Sequence, residues 1–230
     1  MAHDTSQIKA IKAPVNGSSL IVAPPGYGKT YVMTLRIEHL LNTGALKPPK
    51  RLLGLTFTNA AAAEMKERVS QNIPHRKLEI IDLSTIHSFC YQVLCAYGSY
   101  ISISQEFAII SENEAKKILI DIASDNNMDF ISNYDENHKR YQKWSLERLL
   151  KRNVAYIDSN YNSKFERIYQ QYMEHCLEQN KFDFDHILIF THKLFVHSPE
   201  VLEIYRSTYS HVPFCATMDE TTSLISLMKK

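Results

Sequence analysis

The sequence predicts an α/β fold in which a parallel sheet is interrupted by a long helical segment, and three observations carry that expectation. Short β-rich runs alternate with helical stretches from Ser18 to about Ala96, the pattern of strands joined by crossover helices. From about Ser111 to Tyr209 the texture changes to continuous helical periodicity. One more short apolar run, Val212 to Met218, follows the helices and is placed to return to the sheet.

The elements follow in order. Ser19 to Val22, Leu52 to Thr58 and Leu78 to Leu83 read as strands, with helices near 30–42, 60–72 and 86–96. In the first of these helices Leu35, Ile37, Leu40 and Leu41 recur on one face. The second half opens on a capping-box arrangement, Ser111-Glu112-Asn113-Glu114, ahead of Ala115, Ile118, Leu119 and Ile122. Its clearest helix is 164–179, where Phe165, Ile168, Tyr169, Tyr172, Met173, Cys176 and Leu177 line a core-facing stripe. Ser198-Pro199-Glu200 announces another helix, with an N-cap followed by proline at the first helical position. This half is expected to be all helical, with the polar stretch Asp125 to Arg140 as its loop region. Since no repeat, low-complexity tract or flexible linker separates the halves, the helical half reads as inserted rather than tethered.

Composition narrows the class. With 230 residues, 44% apolar content and 22% charge, the chain can build a real core and is not a disordered segment. A net charge of +1 gives no global attraction to nucleic acid, so any such binding must come from a local surface. The four cysteines, Cys90, Cys95, Cys176 and Cys215, have no C-x-x-C spacing and read as structural thiols. No signal peptide or apolar stretch of membrane-spanning length is present, which leads to the expectation of a reduced, cytoplasmic setting without a membrane partner.

The chemistry begins at Ala23-Pro24-Pro25-Gly26-Tyr27-Gly28-Lys29-Thr30, directly after the apolar run Ser19 to Val22 and directly before a helical stretch. Strand, glycine-containing loop and helix in that order form a phosphate-binding loop. Backbone N–H groups of the loop and helix terminus face phosphates, Lys29 supplies a point charge to the β and γ oxygens, and Thr30 can ligate Mg²⁺. Tyr31, just past the loop, either stacks on a base or packs on its neighbours.

Three further stretches extend this reading: Gln7 within Ser6-Gln7-Ile8-Lys9; Leu55-Thr56-Phe57-Thr58-Asn59-Ala60-Ala61-Ala62-Ala63-Glu64-Met65; and Ser84-Thr85-Ile86-His87-Ser88-Phe89-Cys90. Together with the loop they resemble the N-terminal motor domain of superfamily 1 helicases of the UvrD/Rep/PcrA type. Lys181-Phe182-Asp183-Phe184 and Pro199 to Arg206 resemble the same family's helical insertion and its return, so the resemblance covers nearly the whole chain. It implies a P-loop NTPase (RecA-like) sheet with an inserted all-helical subdomain, divided as 1–97, 98–208 and 209–230. It also implies ATP and Mg²⁺ as cofactors and single-stranded DNA as partner. Gln7 would read adenine, its amide both donating to and accepting from the base edge. Phe57, Asn59 and His87 would meet single-stranded DNA. The alternatives are a surface glutamine, a Phe57 packed beneath the sheet and a histidine satisfied within the fold. Two positions depart from the pattern: Ala60 stands where a lysine is common, removing one phosphate contact, and Ile86 replaces the usual aromatic.

The family's next element is an apolar strand ending in Asp-Glu-x-Gln-Asp, and here two registers fit. Counting without gaps from Tyr205-Arg206 puts Cys215 and Ala216 at the Asp-Glu positions, and neither a thiol nor a methyl can hold Mg²⁺ or take a proton there. A shift of a few residues instead makes Asp219 the metal ligand and Glu220 the base; both can equally start the terminal helix. The sequence ends at Lys230, ahead of the family's remaining motifs. The expectation is therefore of a truncated motor whose second lobe, with its arginines, comes from a further domain or a helicase partner in trans. Rival readings are a module that holds ATP without hydrolysing it, a remnant without stable function and an unrelated phosphate-loop kinase. The last leaves the second and third stretches unexplained.

Overall fold

Helix α1 spans Thr5–Ile11 and α2 spans Lys29–Asn42 in the computed structural model, which describes residues 5–14, 28–127, 136, 164–212, 214–215 and 228. The expected strand Ser19 to Val22, loop residues Ala23 to Tyr27, most of the polar stretch after Asp125, and Asp219 and Glu220 lie outside these residues. After α2 come strand β1 (Arg51–Thr56), helix α3 (Asn59–Asn72), the short helix α4 (His75–Leu78), strand β2 (Ile81–Thr85) and helix α5 (Ile86–Tyr97). The chain divides into two compact units, Met1–Phe89 with Leu202–Lys230, and Cys90–Val201.

Within Cys90–Val201, β3 (Ala108–Ile109) precedes α6 (Glu112–Asp125), and α7 (Lys164–Gln179) precedes β4 (Lys181–Phe182) and α8 (Phe184–His197). Ser111 caps α6 as its spacing predicts, accepting the Glu114 N–H at 3.2 Å. Ile168, Tyr169, Tyr172, Met173 and Cys176 of α7 are buried; Leu177 is exposed.

The expectation of an all-helical segment needs correction, because β3 and β4 pair in parallel, Ala108 with Lys181 and Ile109 with Phe182. The reason is packing. Extended backbone lets Phe107, Ile110 and Phe182 all reach the interior, while Ala108 N–H and Ile110 N–H find the carbonyls of Asn180 and Phe182. Phe182 packs against Phe107 and Phe190 with ring centroids 5.3 and 5.0 Å away. His186 is stacked between Tyr172 and Phe190, and Asp183 caps α8 by accepting the His186 N–H (2.8 Å) while also taking the Tyr172 hydroxyl (2.6 Å).

Helix α9 (Pro199–Thr208) leads back to the sheet, where β5 (Tyr209–His211) and β6 (Phe214–Cys215) both run parallel to β1. With β2 on its other side, β1 is the central strand, and near-continuous burial suits its apolar run Leu52 to Leu55. Ile37, Leu40 and Leu41 of α2 and Met65 and Val69 of α3 pack with Leu52 and Leu83 into one aliphatic core. Gly54 sits under that layer: a Cβ there would come within 2.4 Å of Leu83 Cδ2.

One polar cluster ties three strands together. Arg51 donates from Nε and Nη2 to the two Asp82 oxygens at 2.8 and 2.7 Å, and the Tyr209 hydroxyl donates to Asp82 Oδ2 at 2.8 Å. Burial alone would raise the Asp82 carboxyl, but the hydrogen bonds from Arg51 and Tyr209 outweigh it and carry the group below its ordinary range. Among the described residues no helix is long and apolar enough to cross a membrane.

Candidate functional site

The first turn of α2 is shaped by Gly28, which precedes the helix in the left-handed conformation (φ 72°, ψ 26°) and accepts the Val32 N–H at 2.9 Å. An L side chain would be strained there whatever space it found. Lys29 and Thr30 therefore occupy the helix's opening positions, both half-buried, where the helix's first N–H groups have no intrahelical acceptors and the dipole favours an anion. Tyr31 is 38% exposed, and one face of its ring is covered by the Arg68 guanidinium at 5.2 Å. Both residues line an open groove of about 470 Å³ between α2 and α3.

Gln7 lies half-buried on α1, which packs against α2. The contact is secured from the α2 side: Arg36 Nη1 donates to Ile11 O (2.8 Å) and to Ala13 O, and Nη2 donates to Pro14 O (3.0 Å).

A second group forms where β1 and β2 end. Their register sets Thr56 beside Thr85, and the residues that follow meet as neighbours. Phe57 is 55% exposed and touches His87 edge to face, with ring centroids 6.1 Å apart. The alternative of a phenylalanine packed beneath the sheet is thus not what forms. Thr58 caps α3 by accepting the Ala61 N–H at 3.1 Å, which makes the exposed Asn59 the first helical residue. Thr85 accepts the Ser88 N–H at 3.1 Å and so fixes the turn that carries His87. Burial holds the His87 imidazole below its ordinary value, so near neutral pH it is an uncharged donor and acceptor. An apolar ring face, an amide and a neutral imidazole on adjacent strand ends can stack a base and hydrogen-bond a sugar-phosphate backbone.

The returning strand completes the edge. β6 pairs Phe214 with Leu55 and Cys215 with Thr56, so Cys215 stands level with the last residue of β1. The predicted residues that the structure describes are therefore brought together as two groups, Gly28 to Tyr31 on one turn and Phe57, Asn59 and His87 at the strand ends, with Gln7 on a helix packed beside the first. Arg36 and Arg68 are additions that sequence patterns do not single out, since each looks like an ordinary polar position on an amphipathic helix.

A family model for the UvrD/REP helicase N-terminal domain matches residues 3–214. The chain belongs to this family. Among UvrD-type relatives, a protein named probable DNA helicase II homolog from Mycoplasma capricolum subsp. capricolum is 32% identical over 218 residues, covering 91% of this chain and 30% of that protein. The ATP-dependent DNA helicase PcrA of Staphylococcus aureus is 31% identical over 238 residues, 98% of this chain and 31% of its own length. PcrA of Staphylococcus epidermidis is 29% identical over 236 residues, with the same coverage. The chain thus spans less than a third of the length of each of these UvrD/REP relatives.

Proposed function

We propose that the chain is the ATP-binding N-terminal portion of a UvrD-like, ATP-dependent DNA helicase, a cytoplasmic motor that binds ATP with Mg²⁺ and single-stranded DNA. The observation that carries this reading is the left-handed Gly28 directly ahead of α2, which sets Lys29 and Thr30 in the opening turn of a 14-residue helix. Donors for phosphate oxygens, a cationic side chain and a hard hydroxyl ligand on one turn fit a nucleotide triphosphate and its metal. When bound, Mg²⁺ neutralises charge on the β and γ oxygens. In this reading Ala23 to Thr30 cradle the phosphates, Lys29 stabilises charge in transfer, and Thr30 and Asp219 hold the metal. Glu220 activates water, Gln7 and Tyr31 meet adenine, and Phe57, Asn59 and His87 meet DNA.

Residues 1–97 and 209–230 would form the motor lobe and 98–208 its helical insertion, a division that the two compact units support. Unwinding would use a second motor lobe, with arginines completing the charge stabilisation.

One observation favours a second reading, binding without hydrolysis. The pairing of Cys215 with Thr56 agrees with the ungapped register, in which Cys215 and Ala216 take the positions of metal ligand and base. ATP titration and Mg²⁺-dependent turnover, measured on wild type and Lys29→Ala, separate the readings. Loss of the lysine should weaken ATP binding by about 10- to 100-fold, the range for a hydrogen bond to a charged group. Turnover abolished by Lys29→Ala upholds the motor; tight binding with no turnover, even with the second motor lobe of a relative supplied in trans, upholds the second reading. Absence of ATP binding in the wild type overturns both.

A further inference from the structure

Arg36 is a well-connected side chain near the site to which the proposed function gives no role. It lies in α2, six positions beyond Thr30, and its guanidinium turns away from the aliphatic core toward the end of α1. There it donates to three backbone carbonyls, those of Ile11, Ala13 and Pro14. Helix C-termini leave carbonyls without intrahelical partners, and a cation at that end also opposes the helix dipole. Arg36 serves both needs of α1.

Helix α1 depends on that help. It is seven residues long and has no buried residue, so neither intrinsic helix stability nor a core-facing stripe holds it in place. Packing against α2 and the guanidinium clasp both hold its position relative to that helix. Gln7 sits one turn before Ile11, so whatever fixes Ile11 fixes the height and rotation of Gln7 relative to the opening turn of α2.

We infer that Arg36 is a positioning residue for base recognition: by clasping the end of α1 it sets Gln7 at the distance from Lys29 and Thr30 that suits an adenine nucleotide. The inference rests on the reading in which Gln7 contacts adenine. Phosphate binding and base reading are then separable: the turn at Gly28 to Thr30 recognises what all nucleoside triphosphates share, and α1 supplies the discrimination. Arginine suits the task because its planar fork presents five donors spread over a fixed geometry, whereas a lysine offers three from a single point.

The test is calorimetric titration of the full chain with ATP, GTP and inorganic tripolyphosphate, for wild type, Arg36→Ala, Arg36→Gln, Gln7→Ala and the Arg36→Ala/Gln7→Ala double variant. The wild type should prefer ATP to GTP by about tenfold, the value of one well-placed hydrogen bond. Arg36→Ala should bring that ratio close to one while tripolyphosphate affinity stays within about twofold, and the double variant should lose nothing further. Arg36→Gln, which keeps an amide NH₂ donor group, should fall between and serves if the alanine variant does not fold.

A merely structural arginine would lower ATP, GTP and tripolyphosphate affinity together, and that result overturns the proposal. So does an unchanged ATP to GTP ratio in folded Arg36→Ala or Arg36→Gln alongside a Gln7→Ala that has lost it. If the wild type does not discriminate, or Gln7→Ala discriminates normally, the Gln7 reading fails and this inference falls with it.

Discussion

The two units of the chain differ in how they use aromatic side chains, although Phe89, buried against Tyr205, shows that the sheet unit also packs a ring. Among the described residues of Cys90–Val201 the largest fully buried side chains are Tyr169, Tyr172, Phe182 and Phe195, and even a histidine, His186, is stacked between rings. The core beneath β1 is built instead from methionine, isoleucine, leucine and valine, while Tyr31 and Phe57 stand exposed where α2 begins and β1 ends. Exposure alone does not mark a site, since Tyr100 and Phe184 of the other unit are exposed as well. What distinguishes Phe57 is company: a half-buried neutral imidazole on the next strand end and an amide two residues on. The contrast separates rings that hold a unit together from a ring to which the proposed function gives a binding role.

The sharpest way to break that contrast is to truncate one ring of each kind. Phe182→Ala should cost about 3–5 kcal/mol of folding stability in denaturant titrations, because it empties a site shared with Phe107 and Phe190. Asp183→Ala comes next, at about 2–4 kcal/mol, combining a lost helix cap with the loss of the charged acceptor of the buried Tyr172 hydroxyl. A value near zero for either would mean that the buried rings are not what holds that unit. Phe57→Ala should do the reverse, weakening single-stranded DNA binding by about 1–3 kcal/mol in a fluorescence titration. Its effect on stability should stay within about 0.5 kcal/mol, as for an exposed side chain. Equal DNA affinity for wild type and Phe57→Ala would remove the binding half of the contrast.

The smallest effect is shared by both units. His87 in one and His192 in the other are held below the ordinary histidine value by burial. The unfolded chain therefore takes up protons before the folded one as pH falls. The stability these neutral imidazoles contribute is full above about pH 6.5 and declines as the pH drops through their lowered folded values. The unfolding temperature should decrease on acidification below that point, and His87→Gln and His192→Gln should each flatten part of the decrease. A steeper decline in either variant would reverse the sign argued here.

Local signals were legible and distant ones were not. Ser111 with Glu114, and Ser198 ahead of Pro199, announce helices because a cap and its helix lie within a few residues. The apolar run Leu52 to Leu55 announces a central strand for the same reason. The β3–β4 pair escapes such reading, since two-residue strands more than 70 positions apart carry no periodicity. Arg36 reaches carbonyls 22 to 25 residues away, and nothing in its neighbours along the chain encodes them. Whether Phe57 faced the core or solvent also lay beyond pattern, because a residue just past a strand end has no alternation to obey.

The carboxylate of Asp82 joins Arg51 of the adjacent strand to Tyr209, which lies 127 residues further along the chain. On a ribosome β1 and β2 emerge early, while the strands that cover the opposite edge of β1 arrive only after the whole of Cys90–Val201 has been made. Until then that edge has its ladder groups unpaired, the condition under which nascent sheets associate with the wrong partner. Any delay in synthesis or compaction of the intervening segment therefore lengthens the interval of risk. Arrival of Tyr209 at Asp82 begins to close it, and pairing of β6 with Leu55 and Thr56 completes the closure.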